Sequence, residues 1–362
     1  MRPIVLSAPS FRSSNSFAKM ARYHALYLHN YGFDVYLDER GEPRPAEVLD
    51  LFHRTMVKTL LNKKSPPGAP RLYYDIPDGM KDRLNAINFA TFESANLLPR
   101  WVSYANNCLH TCVISHHNKH LLIQEGVDSQ KVSVVNLGYD PNLYCPNKIP
   151  MWPKDGKFVF LYVNHFNPRK GVETLLHAFC DEFSSYDPVK LVMVTQSMYD
   201  QVDVKQAIAT IVAFHDNPPE IELHLSPFNG GISEDMMASV YASGDCLVNP
   251  TKGEAFGLPN LEALACGLEV ITTRCSGQLD YLNDNNCHFI EVDNITIDPA
   301  CAAVNKSYSK LMFWIPSHES LRLQMRQVFN GLKKADVPSG WTWDETTFQL
   351  PLALKKVGIE NG

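Results

Sequence analysis

Short apolar runs alternate with helix-patterned stretches along nearly the whole chain, and that alternation restricts the fold more than any other feature. PIVLS, near the start, is followed by a helical stretch from Phe17 to Tyr31 and, after Gly32, by FDVYL. The order continues through the helix Ala46 to Leu61, the runs RLYYD and AINFATF, and the pair TCVIS and KVSVVNL, which a helix ending near Gly126 separates. Compact apolar runs of this length read as buried strands. Strands joined through helices pair in parallel, because a parallel pair needs a crossover connection. The first half is therefore expected to be Rossmann-like.

Between Tyr144 and Lys157 the stretch YCPNKIPMWPKDGK is rich in proline and charge and poor in periodicity, as a linker is. The alternation then restarts: FVFLYVN, the helix Glu173 to Phe183, KLVMVT, the helix Lys205 to Phe214, IELHL, a helix from Ser233, CLVNP, a helix from Pro259, and EVITT. This order predicts an α/β protein of two Rossmann-like domains, residues 1–146 and 147–343. The aromatic and then helical segment WTWDETTFQLPLALKKV fits a packing helix of the second domain; alternatively residues 344–362 cross back onto the first.

Composition narrows the function. A chain of 362 residues, 45% hydrophobic and 20% charged with net charge −6, offers no basic field for nucleic acid. Nine cysteines without a Cys-x-x-Cys pair argue against a disulfide framework or structural zinc and for reduced thiols in the cytoplasm. The apolar run Ile4 to Leu6 is too short for a signal peptide, and no apolar run approaches the ~18 residues of a membrane span. The helix Ala46 to Lys64 has many apolar positions and a basic end, Lys58, Lys63 and Lys64. Such a helix fits a packed core, or contact with a membrane or lipid-linked acceptor.

The stretch KGEAFGLPNLEALACG, Lys252 to Gly267, concentrates the chemistry. Pro259 suits a helix start and Gly267 its end. The preceding strand CLVNP points into the loop TKGEAFGL, so the amides around Phe256, Gly257 and Leu258 are expected at the C-terminal edge of the sheet. Ligands bind at that edge in open α/β sheets, and a helix N-terminus favours phosphate. Glu262, in the first turn, can accept hydrogen bonds from a vicinal diol such as a ribose, or can simply cap the helix. Glu254, upstream on the loop, can reach hydroxyls beyond the phosphate.

The run Asp245 to Gly267 resembles the donor-site signature of retaining GT-B glycosyltransferases of family 4, with its two glutamates separated by seven residues. VNHFNPRKGVETLLHAF resembles that family's diphosphate-binding strand, loop and helix, SGQLDYL its later acidic loop, and HTCVISHHNKHLLIQEGVDSQKVSVVNLGYDPNLYCP its first-domain pattern. The resemblance implies a GT-B fold, two facing Rossmann-like domains with a cleft between them. It also implies that Glu254 contacts donor-sugar hydroxyls, Glu262 the ribose, and Lys170 the diphosphate of a nucleotide sugar. No metal is expected, since no Asp-x-Asp occurs.

Two positions depart from the family. His165 stands where an arginine is common, five positions before Lys170, and an imidazole is a weaker clamp than a guanidinium; Arg169 is a candidate substitute. Glu93, in ATFES, stands where many members have a histidine, as an orienting group, a general base or a solvated loop residue. The glycine-rich N-terminal loop is replaced by SAPSFRSSNSF, where Ser14 and Asn15 are candidate contacts or a polar cap. His116 and His117 lack a third ligand at metal-binding spacing and read as polar residues opening a helix.

These features lead to a metal-independent hexosyltransferase that needs no cofactor. The resemblance implies a nucleotide-sugar donor, GDP-mannose first because mannosyltransferases are common in that family and a UDP-sugar second, and as acceptor a hydroxyl of a glycan or lipid-linked molecule. The alternatives are a weak or inactive sugar-binding pseudoenzyme of the same fold, and a nucleotide-sugar epimerase or phosphorylase. Oligomeric state has no signature in the sequence.

Overall fold

A computed structural model describes residues 1–13, 15–41, 49–197, 202–226, 232–334 and 336–361. The chain divides into two compact units, one of Met1–Asp140, Asn229–Glu234 and Ser339–Gly362, the other of Pro141–Phe228 and Asp235–Pro338.

In the first unit β1 (Pro3–Ala8), α1 (Ser16–Asn30), β2 (Asp34–Glu39), α2 (Leu51–Leu61), β3 (Arg71–Asp75), β4 (Ile87–Ala90), α3 (Pro99–Asn107), β5 (His110–Val113), α4 (His116–Gln124) and β6 (Val132–Val134) follow in order. The six strands form one parallel sheet, β2-β1-β3-β4-β5-β6. Its central strands are buried, as a parallel sheet covered on both faces requires: Leu72, Tyr74, Phe89, Ala90, Cys112 and Val113 are fully buried, as are the polar Asn88, His110 and Thr111. The predicted helix from Ala46 is described only from Leu51, because residues 42–48 lie outside the described residues. Helix α3, which begins on Pro99 and buries Trp101 and Ala105, was not among the expected helices.

In the second unit β7 (Phe158–Val163), α5 (Val172–Glu182), β8 (Val189–Thr195), α6 (Val204–Val212), β9 (Glu220–Leu225), α7 (Glu234–Ala242), β10 (Cys246–Asn249), α8 (Leu258–Ala265), β11 (Glu269–Thr273) and β12 (His288–Ile290) build a second six-stranded sheet, β12-β11-β10-β7-β8-β9, parallel at every pairing. Its core packs Phe160, Tyr162, Leu175, Phe179, Leu191 and Met193. Beyond the expected pattern come β13 (Val292–Ile297), α9 (Pro299–Val304), β14 (Met312–Pro316) and α10 (His318–Phe329), with β13 and β14 paired as an antiparallel ribbon.

The C-terminal helices α11 (Trp343–Thr347) and α12 (Gln349–Lys355) belong to the first unit. Trp343 stacks on Tyr23 with ring centroids 4.5 Å apart and planes 7° apart. Gln349 accepts from the Asn136 amide at 2.6 Å. The crossing needs glycine at 138, since a Cβ there would stand 2.5 Å from the Thr342 carbonyl carbon and the Trp343 nitrogen. Among the described residues no helix is long and apolar enough to cross a membrane.

Candidate functional site

Two loops at the C-terminal edge of the second sheet meet in space although more than eighty residues separate them. The first follows β7 and carries Arg169 and Lys170 in a short turn over Pro168–Lys170, which Asn167 caps by accepting from the Arg169 amide at 2.9 Å. The second follows β10. They touch backbone to backbone: Lys252 N–H donates to the Arg169 carbonyl at 2.7 Å. Gly171, at φ 68°, turns the chain into α5, and a Cβ there would lie 1.9 Å from the Pro250 oxygen. Only glycine meets both demands.

This contact brings Lys170 Nζ to 2.5 Å from Glu254 Oε1. Glu254 is 5% exposed. Burial pushes its carboxyl upward, but Lys170 and then Arg169 outweigh it and hold the group below the usual carboxylate range. Arg169 Nη1 donates to the Gly253 carbonyl at 2.5 Å and stands 3.8 Å from Glu254 Oε2. The Arg169 guanidinium therefore braces the Glu254 loop from within. This contact engages Arg169, the candidate substitute for the missing diphosphate arginine, with the loop that follows β10.

His165 departs further from a cationic clamp than its identity alone suggests. Burial, then Lys170 and Arg169, lower its pKa to about 4, so the ring is neutral at pH 7. Its Nδ1 lies 3.4 Å from Gln196 Nε2. Of the three, Lys170 and Arg169 carry charge, with side chains 11% and 9% exposed.

The Gly-Leu-Pro turn opens α8 one residue earlier than expected, at Leu258, with Gly257 as N-cap at φ 86° and Pro259 in the first turn. Gly257 is held by Tyr281, whose hydroxyl donates to its carbonyl at 2.6 Å. Phe256 and Leu258 are buried, Phe256 against the Tyr281 ring at 5.0 Å, so these two can offer a ligand only backbone. Beneath the turn Asn249, Asn260, Thr272 and Gln278 form a buried hydrogen-bonded network, including Asn260 Nδ2 to Gln278 Oε1 at 2.8 Å. SGQLDYL packs directly behind Glu254: Ser276 Oγ accepts from the Glu254 amide at 2.9 Å and Gly277 N–H donates to the Glu254 carbonyl at 3.0 Å.

Glu262 is buried in α8, and Tyr241 from α7 donates its hydroxyl to Oε2 at 2.9 Å. Burial, reinforced by Glu262, holds the Tyr241 phenol well above its ordinary range, so it remains a donor. The sequence carried no signal for Tyr241, for Ser276 as a brace, or for the amide network, because each acts through a contact far along the chain. A glycine directly after Lys170 was a legible signal for the close approach at Gly171.

Glu93 lies in the first unit, half-buried just past the end of β4. The backbone beside it is fixed by Asn118, which accepts from the Phe92 amide at 3.0 Å and donates to the Phe92 carbonyl at 2.7 Å. His117 contacts the Ser94 carbonyl at 3.2 Å and His116 starts α4 behind its Ser115 cap, so both serve the helix start. Asn15 caps α1 by accepting from the Ala18 amide at 2.9 Å, which employs the side chain offered as a ligand contact; Ser14 lies outside the described residues. Among the described residues no three His, Cys, Asp or Glu side chains form a group able to hold a metal ion.

Residues 148–310 match the family model for Glycosyl transferases group 1. That segment, a little under half of the chain, is similar to group 1 glycosyltransferases. It contains Lys170, Glu254, Glu262 and every brace described around them. Over 182 residues the chain is 26% identical to a phosphatidyl-myo-inositol mannosyltransferase of Mycobacterium tuberculosis, covering 49% of this chain and 44% of that protein. Matches to such curated relatives take in only 35% to 44% of their length. In three dimensions the chain follows the GT-B fold. Sucrose-phosphate synthase from Thermosynechococcus elongatus superposes with TM-score 0.63 over 99% of both chains at 14% identity. Anabaena HepE, solved with UDP-glucose, superposes with TM-score 0.60 over 99% of this chain and 96% of that one, also at 14% identity.

Proposed function

We propose that the protein is a retaining glycosyltransferase that moves a hexose from a nucleoside diphosphate sugar to a hydroxyl of a glycan or lipid-linked acceptor. The observation that carries the reading is the Lys170–Glu254 pair beside the Gly257-capped start of α8. Diphosphate needs a cation and free amides, sugar hydroxyls need an ionised carboxylate, and Glu262 supplies a second carboxylate for a ribose.

In this reading the bond from the anomeric carbon to the diphosphate oxygen breaks and the acceptor oxygen bonds on the same face. The acceptor proton passes to the departing diphosphate, whose growing charge Lys170 and the α8 amides stabilise. Glu254 stays ionised and orients the sugar. Glu93 is the first-unit carboxylate proposed to orient acceptor or donor.

Mannose and guanine lead the choice of donor, in line with the mannosyltransferase relative. UDP-glucose follows, in line with the ligand of HepE. Exposed Leu51 and Phe52 at the start of α2 suit a lipid-linked acceptor at a membrane surface. Calorimetric titration with GDP, UDP and ADP in metal-free buffer, on the parent and Glu262→Ala, tests the donor site. One nucleotide should bind and the variant should weaken it; no binding by any of the three would sink the reading. Transfer from the matching sugar donor, with the product's anomeric configuration read by NMR, then tests retention.

A further inference from the structure

Strand β9 ends the second sheet, and among the described residues no strand pairs with its outer side. Ser226 N–H donates to the Thr195 carbonyl at 2.9 Å, and alternate residues of a parallel strand bond to the same side. The backbones of Glu220, Glu222 and His224 therefore face β8, and those of Ile221, Leu223 and Leu225 face outward. Six residues long, the strand has no internal proline, lysine or bulge, the usual devices that blunt an edge. Beside it lies a shallow apolar groove of about 310 Å³, lined by Ile208 and Val212 of α6 and by Ile221 and Leu223.

We propose that this edge pairs with the β9 of a second copy of the chain, antiparallel about a two-fold axis at Leu223. The register is self-complementary at every position. Leu223 opposes its own equivalent and Ile221 opposes Leu225, all three with outward backbones. Each opposition is therefore a hydrogen-bonded pair that exchanges two bonds. On the other face Glu222 opposes His224 in a non-hydrogen-bonded pair, where side chains come closest. The two already lie 2.6 Å apart within one chain, so exchange across the axis keeps the contact and doubles it. His224 is held for this by Trp152, stacked on it at 3.8 Å. A register slip of one residue, which moves the axis by half a residue, sets outward backbones against inward ones and loses the ladder. Two such strands bury less than the ~1,200 Å² of a standard interface, so the dimer is weak and concentration-dependent.

Sedimentation velocity of the full chain, from about 1 to about 100 μM, tests this. The expected result is a shift from monomer to dimer. Hydrogen exchange over the same range should slow at the β9 amides and stay unchanged at β12. Leu225→Pro removes an outward donor and leaves the bonds to β8, so it should fold with the parent's melting temperature and remain a monomer. A parent that stays monomeric throughout overturns the proposal. So does a dimer whose β9 exchange does not respond to concentration, which covers the case in which the proline variant fails to fold.

Discussion

Lys170 Nζ and Glu254 Oε1 stand 2.5 Å apart, and this pair joins the two loops that the second sheet delivers to its C-terminal edge. The cation expected to meet a diphosphate and the carboxylate expected to meet a sugar are one electrostatic unit. Lys170 helps hold Glu254 ionised, so the lysine cannot be removed without changing its partner.

Lys170→Ala should weaken nucleotide binding by about 2 to 3 kcal/mol, roughly 30- to 150-fold, through the lost charge-assisted contact. It leaves Glu254 with Arg169 at 3.8 Å as its remaining cation. Calorimetry on the folded variant checks this, and an unchanged affinity would remove Lys170 from the site.

Tyr241→Phe deletes one hydroxyl and no packing volume of consequence. Glu262 then loses its donor at 2.9 Å. Nucleotide affinity should fall by about 1 to 2 kcal/mol, roughly 5- to 30-fold. The fold should persist, since the ring still packs against Tyr144 at 6.0 Å. Equal affinities of variant and parent would mean that Tyr241 serves only the core.

Gly171→Ala should destabilise the second unit by at least about 3 kcal/mol, because φ 68° and the Pro250 oxygen at 1.9 Å both oppose a side chain. Gly126→Ala is the control: it shares a positive φ of 90° but has no atom within 4 Å. It should cost only about 1 kcal/mol. Thermal melts that lower both variants equally would show that the approach to Pro250 is not tight.

Acid should begin to weaken the fold above the ordinary carboxylate range. His24 is lowered by burial to about 3 and His110 to about 4, and His165 is lowered to about 4 by burial and its cationic neighbours. All three are neutral when folded, while the unfolded chain protonates them near 6.5. The unfolded state therefore binds more protons between pH 6.5 and 4, and stability falls as pH drops through that window. Glu254, lowered instead, contributes stability that is present above the ordinary carboxylate range and is lost only below it. Denaturant melts across pH 4 to 7 should show this slope, and His165→Gln should reduce it by about one proton's share, ~1.4 kcal/mol per pH unit. An unchanged slope would mean that His165 is already charged in the folded protein.

The glutamate motif was legible because its chemistry is local. Glu254, Gly257 and Glu262 fall within nine residues, and the turn that presents them needs a residue free to take positive φ. The same locality hid their partners. Arg169, adjacent to Lys170 in sequence, reaches across to the Gly253 carbonyl of the other loop, a contact the sequence does not show. His165 reads as a half-charged ring on paper, and burial beside two cations settles it as neutral.

By itself the sequence determined the two parallel α/β sheets and the edge at which their loops gather, since periods of two and 3.6 residues and the demand for crossovers are written residue by residue. It did not reveal the ribbon β13–β14 or the brace of Ser276 behind Glu254, and it left open which unit takes the C-terminal segment. Those depend on which distant surfaces fit, and only the folded chain decided them: a glycine at 138 admits the Trp343 backbone, and a buried Tyr241 reaches Glu262. Packing and desolvation act between residues that the sequence holds far apart, so their outcome is fixed by tertiary structure.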